Sequence, residues 1–377
     1  KAPFVGGRIK STVHQGFILD EGFQVLLDSY PELRSFQEIE GLELKPFPSG
    51  ARLVSGKISG IISNPYDSPW IFIKNLLQFP LRPADILVLW SIWMDSGKVS
   101  DVFYMENDTE TTRLYLQRKG VRQELMDSFF RPFFGGVFLD PDLETGSQYF
   151  LWLFRKFGQG RACLPKGGMA RFPQALSDSL LPGTLQTGVS IKVEVAQGEV
   201  WLDQETAIRP EAMVLATGTS LSELSRTRMA HTLYLKSPEG HKPFSSFLWL
   251  NGNPKSRILH LCFPDQIQPG YAPDGASLCA ISILPQAKEI GEEGFRNNLL
   301  KELISDFPDV NWSEWNYLAE TRVPKALPKY GGGSKAAFQR NGNVWEVGDV
   351  FTYPSINGAM ESGRKAAEDI LRSGLTG

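Results

Sequence analysis

Short apolar runs, each closed by glycine or proline, alternate along the chain with stretches of helical spacing. Val344-Trp345-Glu346-Val347 is such a run and ends in Gly348-Asp349, which reads as a buried strand closed by a turn. After a loop, the small residues Gly358, Ala359, Ser362 and Gly363 recur on one helical face and lead into an alanine-rich tail. Ser190 to Val195, Glu199 to Leu202 and Ala212 to Ala216 alternate or run apolar like strands. Thr232 to Leu235, Phe247 to Leu250, Arg257 to Phe263 and Ser277 to Leu284 read as strands of a second sheet. Helices are expected over Pro69 to Leu77 and Pro83 to Met94, each entered through a proline. Two more, Thr109 to Lys119 and Val121 to Phe130, are broken at Gly120. Ala170 to Leu180 is helical, and Gly291 to Phe307 is a helix stopped by Pro308. Pro324 to Pro328 is extended.

Composition narrows this picture. At 377 residues the chain can bury a large core and is expected to form two domains. A net charge of -3 gives no electrostatic support to nucleic-acid binding. The 36 glycines and 25 prolines suit a loop-rich nucleotide-binding fold better than a helical bundle, and the 24 phenylalanines and 9 tryptophans point to apolar cavities. Cys163, Cys262 and Cys279 are odd in number and widely spaced, so no metal or redox pair is expected and a reducing compartment is favoured, the cytoplasm or an organelle. The four histidines show no ligand spacing. The apolar stretches Trp70 to Ile73 and Ile86 to Met94 are too short to span a bilayer. A buried core helix is the first reading of them, and a peripheral membrane contact the second.

The candidate chemistry lies in four segments. Gly348 lets backbone approach a ligand closely, and Asp349 offers acceptors to hydroxyl groups. Ser355, Ile356, Asn357, Gly358 and Ala359 open the last helix, whose N–H groups and dipole favour an anion or a carbonyl oxygen. Near the start, Gly6-Gly7-Arg8 could bring a guanidinium to phosphate oxygens. It is followed by Asp20-Glu21-Gly22-Phe23-Gln24. Pro165-Lys166-Gly167-Gly168-Met169 and the strand ending in Ala216-Thr217-Gly218 complete the set. Each segment alone is equally a plain turn.

In order and spacing the four segments together resemble the FAD-dependent amine oxidase and phytoene desaturase superfamily. The resemblance covers almost the whole chain. It implies an α/β fold: a Rossmann-like, three-layer FAD-binding domain formed by residues 1–30, 160–225 and 335–377. A second, α+β substrate domain would comprise 31–159 and 226–334. It implies FAD contacts from Gly6, Gly7, Arg8, Asp20, Gly22, Phe23, Gln24, Val193, Ala216, Thr217, Gly218, Gly348, Asp349, Ser355, Ile356, Asn357, Gly358 and Ala359. The family's opening strand, G-x-G-x-x-G turn and helix would lie upstream of Lys1, so a fragment is the simplest expectation and a remnant that binds without catalysis the competing one.

The activity implied is hydride transfer from a C–H bond of a small, apolar substrate to noncovalent FAD, since no cysteine follows Cys279 to carry the flavin. Amine oxidation is the alternative. Its aromatic cage position, three before Gly358, is Ser355, with Tyr353 and Phe351 nearby. No side chain stands out as catalytic.

Overall fold

The computed structural model describes residues 2–36, 41–55, 58–63, 82–194, 199–202, 206–217, 227–237, 246–284, 292–330, 334 and 336–374. The expected helix over Pro69 to Leu77 lies outside them. The largest sheet has seven strands in the order Asn316–Pro328, Thr227–Ser237, Ser277–Ile283, Ile258–Cys262, Leu248–Asn251, Gly50–Ser55, Ile58–Ser63. Its neighbours are antiparallel except Leu248–Asn251, which runs parallel to Gly50–Ser55. Ile258–Cys262 is buried at every residue, so it occupies the middle of the sheet. Asn316–Pro328 carries Pro324 and sits at an edge, where a missing N–H is tolerated. The register there shifts between Arg228 and Ala230, opposite Pro324.

Successive residues of these strands face opposite sides. Leu233, Trp249, Leu261 and Ile281 meet Leu299, Leu303 and Phe307 of and beyond the helix Glu292–Asp306 on one side. Tyr234, Leu250, Cys262 and Ala280 meet Phe17, Leu19 and Tyr271 on the other. Each fully buried leucine, isoleucine or phenylalanine among them contributes about 1.5–3 kcal/mol.

A separate three-stranded sheet carries two of the four segments singled out in the sequence. Met213–Leu215 lies parallel to Val344–Glu346, which pairs antiparallel with Gln339–Asn341. The last helix, Ile356–Arg372, packs on it through Ala366 against Trp345 and Val347. Arg364 from this helix makes a two-point contact with Glu32, both bonds 2.8 Å, which ties the first segment to the last.

Between the sheets lies a helical layer. Pro83–Ser96 begins at Pro83, with Asp85 accepting from the Arg82 N–H at 2.7 Å. Arg122 also clamps Asp85 and holds its carboxyl below the usual range. Gln123–Leu125 runs through a π-turn, Met126–Phe130, into a helix not read from the sequence, Arg131–Phe138. Its Gly135-Gly136 pair is poor helix-forming sequence. Tertiary packing overrides that weakness: a Cβ on Gly136 would stand 2.4 Å from His260 Cε1. Ser147–Gln159 completes the layer.

Candidate functional site

One cavity of about 1070 Å³ opens where the large sheet, the helical layer and the first and last segments meet. That volume is ample for a dinucleotide's reactive half and a second small molecule.

One part of its wall comes from the glycine-rich segments. Gly6, Gly7, Arg8, Gly22, Phe23, Gln24, Ala216, Thr217, Gly348, Asp349, Ser355, Ile356 and Ala359 all line it. Residues more than three hundred positions apart in sequence are joined here by a direct contact. Arg8 Nη2 meets Asp349 Oδ1 at 2.6 Å, and Arg8 Nη1 donates to the Ala326 carbonyl at 2.7 Å. Asp349 is buried, and none of the described residues donates to its Oδ2. Gln24 Nε2 donates to the carbonyls of Arg8 and Glu21, which holds the two N-terminal turns together. Gly348 has φ +146°, backbone that an L side chain rarely adopts, and a Cβ there would meet only Val350 Cγ1 at 4.0 Å. Ser355 caps the last helix by accepting from the Gly358 N–H at 2.9 Å.

Three residues expected at the cofactor turn away from the cavity. Asp20 is fixed inside by Ser11 Oγ at 2.5 Å, the Met169 N–H at 2.9 Å and Tyr271 OH at 2.9 Å. Burial pushes its carboxyl up from the usual range, against those three bonds. It fastens the Ser11–Asp20 hairpin to the Pro165–Met169 turn, where Gly168 has φ +92°. Asn357 accepts from the Glu32 N–H at 3.0 Å and donates to Tyr353 OH at 2.6 Å, so it too is a packing residue. Gly358 is small for the protein's own sake: a Cβ would lie 2.2 Å from the Tyr353 carbonyl oxygen and 2.6 Å from Thr352 Oγ1. Of the small residues at the helix start, Ala359 is the one that meets the cavity. Val193 stands on the strand Ile191–Glu194, paired with Val200. Gly218 lies outside the described residues.

The rest of the wall is aromatic and aliphatic. Trp90 and Trp93 come from Pro83–Ser96, Phe133 from Arg131–Phe138, Phe157 from Ser147–Gln159, and Leu248 and Leu259 from the sheet and its margin. Phe129 and Phe133 stack at 5.8 Å, and Phe133 meets Phe157 edge-on at 4.9 Å. Phe23 joins this region to the glycine-rich one, 5.1 Å from the ring of His260. His260 is buried and its Nδ1 lies 3.2 Å from the Pro132 carbonyl. Burial brings its imidazole down to about 4, so it is neutral at physiological pH. Apart from Phe23, sequence reading did not single out these residues as cavity wall. Their one signal was the phenylalanine count, which says that an apolar cavity exists but not which rings form it.

Tyr353 does not line the cavity. Its ring packs 4.6 Å from Trp152 and 5.1 Å from Phe103, and its hydroxyl donates to Glu361 at 3.1 Å. Among the described residues no helix is long and apolar enough to cross a membrane.

The family model for flavin-containing amine oxidoreductases matches residues 1–371. No curated protein matches the chain. Among solved structures, putrescine oxidase with putrescine bound is similar over 98% of this chain and 92% of its own, at 12% identity and a TM-score of 0.71. An oxidoreductase from Methanosarcina mazei covers 97% and 92%, at 14% identity and a TM-score of 0.66. A putative protoporphyrinogen oxidase from Exiguobacterium sp. 255-15 covers 97% and 90%, with the same identity and score. At these identities the likeness is one of fold: a mixed α/β architecture with a Rossmann-like FAD-binding part.

Proposed function

The chain belongs to the flavin-containing amine oxidoreductase family, and we propose that it is an FAD-dependent oxidoreductase that holds FAD noncovalently and takes hydride from a C–H bond of a hydrophobic substrate. The observation that carries this reading is the Arg8–Asp349 contact, which closes the first and last motifs around one cavity. The residues present suit FAD. No described residue donates to Asp349 Oδ2, which leaves it for a ribityl hydroxyl, Gly348 leaves open space at a strand end, and Ser355 and Ile356 at the start of the last helix line the cavity. Arg8, Gly22, Gln24, Thr217 and Ala359 would complete the cradle. FAD bound there supplies the two-electron acceptor.

The chain's own residues do the rest. Arg8 balances the buried charge of Asp349 and fixes the carboxylate's orientation. Phe129 and Phe133 exclude water from the reacting end. We assign 1–30, 160–225 and 335–377 to the FAD-binding domain and 31–159 with 226–334 to the substrate domain, with the cavity between them. An amine substrate is less well supported. A buried ammonium needs a carboxylate, and among the described residues the two that line the cavity, Glu21 and Asp349, are already paired with Lys10 and Arg8.

Titration of the protein with FAD, followed by flavin fluorescence, tests the reading. Arg8→Ala and Asp349→Ala should each weaken binding about tenfold or more, the loss of one charge-assisted contact. Acid precipitation should release all the flavin. If the protein takes up no FAD, or both variants bind it unchanged, the proposal fails.

A further inference from the structure

The charges that line the cavity do not cancel. Among the described residues five charged residues line it: Arg8, Glu21, Arg161, Lys325 and Asp349. Arg8 pairs with Asp349, and Glu21 with Lys10. Lys325 adjoins Ala326, whose carbonyl takes Arg8, and so belongs to the glycine-rich part. Arg161 is elsewhere. It follows Gly160 at the end of the helix Ser147–Gln159, in the same stretch of wall as Phe157 and Gly158, and Gly158 abuts Trp93. Trp90, which also lines the cavity, is 60% exposed, so this stretch is a rim.

Arg161 is exposed, and its guanidinium makes no hydrogen bond or ion pair with any described residue. The adjacent carboxylate, Asp28, is turned to the main chain and accepts from the Arg161 N–H at 2.7 Å. An exposed fork of donors with no partner among the described residues thus belongs to a residue of the cavity wall, beside the exposed Trp90 stretch. Its distance from the reacting end is bounded by the fold. Leu27 pairs with Ala162, and Leu27 is four residues beyond Phe23. Four residues span at most about 14 Å, the cross-strand step adds about 5 Å and the step from Ala162 to Arg161 about 4 Å, so the main chain at Arg161 lies within about 23 Å of that at Phe23.

We propose that Arg161 is a specificity-determining residue that binds the carboxylate of an amphiphilic substrate, whose apolar body runs past Trp90, Trp93 and Phe133 toward Phe23. This deepens the hydrophobic-substrate reading and rests on it. The substrate class is a carboxylic acid carrying an apolar chain or polycycle. A neutral hydrocarbon would leave Arg161 without a role.

Dodecanoate and 1-dodecanol share one apolar body and differ in the head group, so they are the probes. Binding of each is followed by tryptophan fluorescence, which Trp90 and Trp93 report. The protein should bind dodecanoate about five- to tenfold tighter than dodecanol, the range of a two-point guanidinium–carboxylate pair at a partly wet rim. The preference should shrink as salt rises. Arg161→Gln should bring the two affinities within about twofold while leaving dodecanol unchanged, and Arg161→Lys should keep part of the preference. Equal affinities in the unaltered protein overturn the proposal. So does a preference that survives Arg161→Gln, or a loss of dodecanol binding in that variant with a native far-UV circular dichroism spectrum. An FAD titration on the same samples separates the two readings: flavin bound without acid preference refutes the role of Arg161 alone, whereas no flavin uptake refutes the oxidoreductase assignment.

Discussion

Adding one methyl group at Gly358 should destabilise the fold rather than empty the cofactor site. The Cβ of an alanine would lie 2.2 Å from the Tyr353 carbonyl oxygen and 2.6 Å from Thr352 Oγ1. An ordinary contact of this kind is about 3.4 Å or more, so the overlap exceeds about 1 Å. Neither neighbour gives easily. The Tyr353 ring is wedged against Trp152 and Phe103, and its hydroxyl is tied to Glu361 and Asn357. Overpacking of this sort costs about 1–3 kcal/mol. Replacing glycine by alanine in a helix returns up to about 1 kcal/mol, so a net loss is expected. If the chain unfolds in one step, an entropy of about 2.1 cal/mol/K per residue makes this a fall in Tm of a few degrees at most. Ala359 is the control. It is exposed and lines the cavity. Ala359→Leu should therefore leave Tm within about 1 °C, since leucine is nearly as good a helix former as alanine, yet weaken FAD binding. Thermal unfolding and FAD titration of both variants make the comparison. A Gly358→Ala protein with unchanged Tm and abolished flavin binding would refute the argument, because the glycine would then face the cofactor.

Two other outcomes follow from contacts away from the cofactor end. Asp95 is brought down to about 2, first by its hydrogen bond to Lys119 and also by Lys98 and Tyr115. Because the folded value is depressed, its stabilisation is fully present above the unfolded value of about 3.9 and is lost as pH falls toward 2. Asp95→Asn should accordingly be less stable than the unaltered protein in urea at neutral pH, with the gap closing between about pH 4 and pH 2; a gap independent of pH would contradict this. Gly158→Ala would set its Cβ 2.1 Å from Trp93 Cζ3, so the indole must shift toward the rim of the cavity. Dodecanoate affinity should fall with little change in FAD affinity, and equal losses of both would point to general unfolding instead.

The motifs alone located the glycine-rich end of the cavity. Gly6, Gly7, Arg8, Gly22, Gln24, Gly348 and Asp349 all reach it, because turns at strand ends are set by local backbone needs that a sequence displays. The strand–loop–helix corner at 344–372 was legible for the same reason: an apolar run, a glycine and a small-residue face each leave a pattern within a few positions. What the motifs could not say is which side of each turn faces outward. Asp20 and Asn357 are polar residues in motif positions, yet each finds its hydrogen-bond partners in segments distant along the chain and is consumed in packing. Gly358 is small because a neighbouring loop carbonyl crosses it, not because a ligand does. The helix Arg131–Phe138, the aromatic wall and the place of Arg161 in it likewise depend on contacts between remote segments. Local conformation is encoded within a few residues, whereas the direction a side chain faces is set by whatever surface the rest of the chain packs against it, and that is decided only when the fold closes.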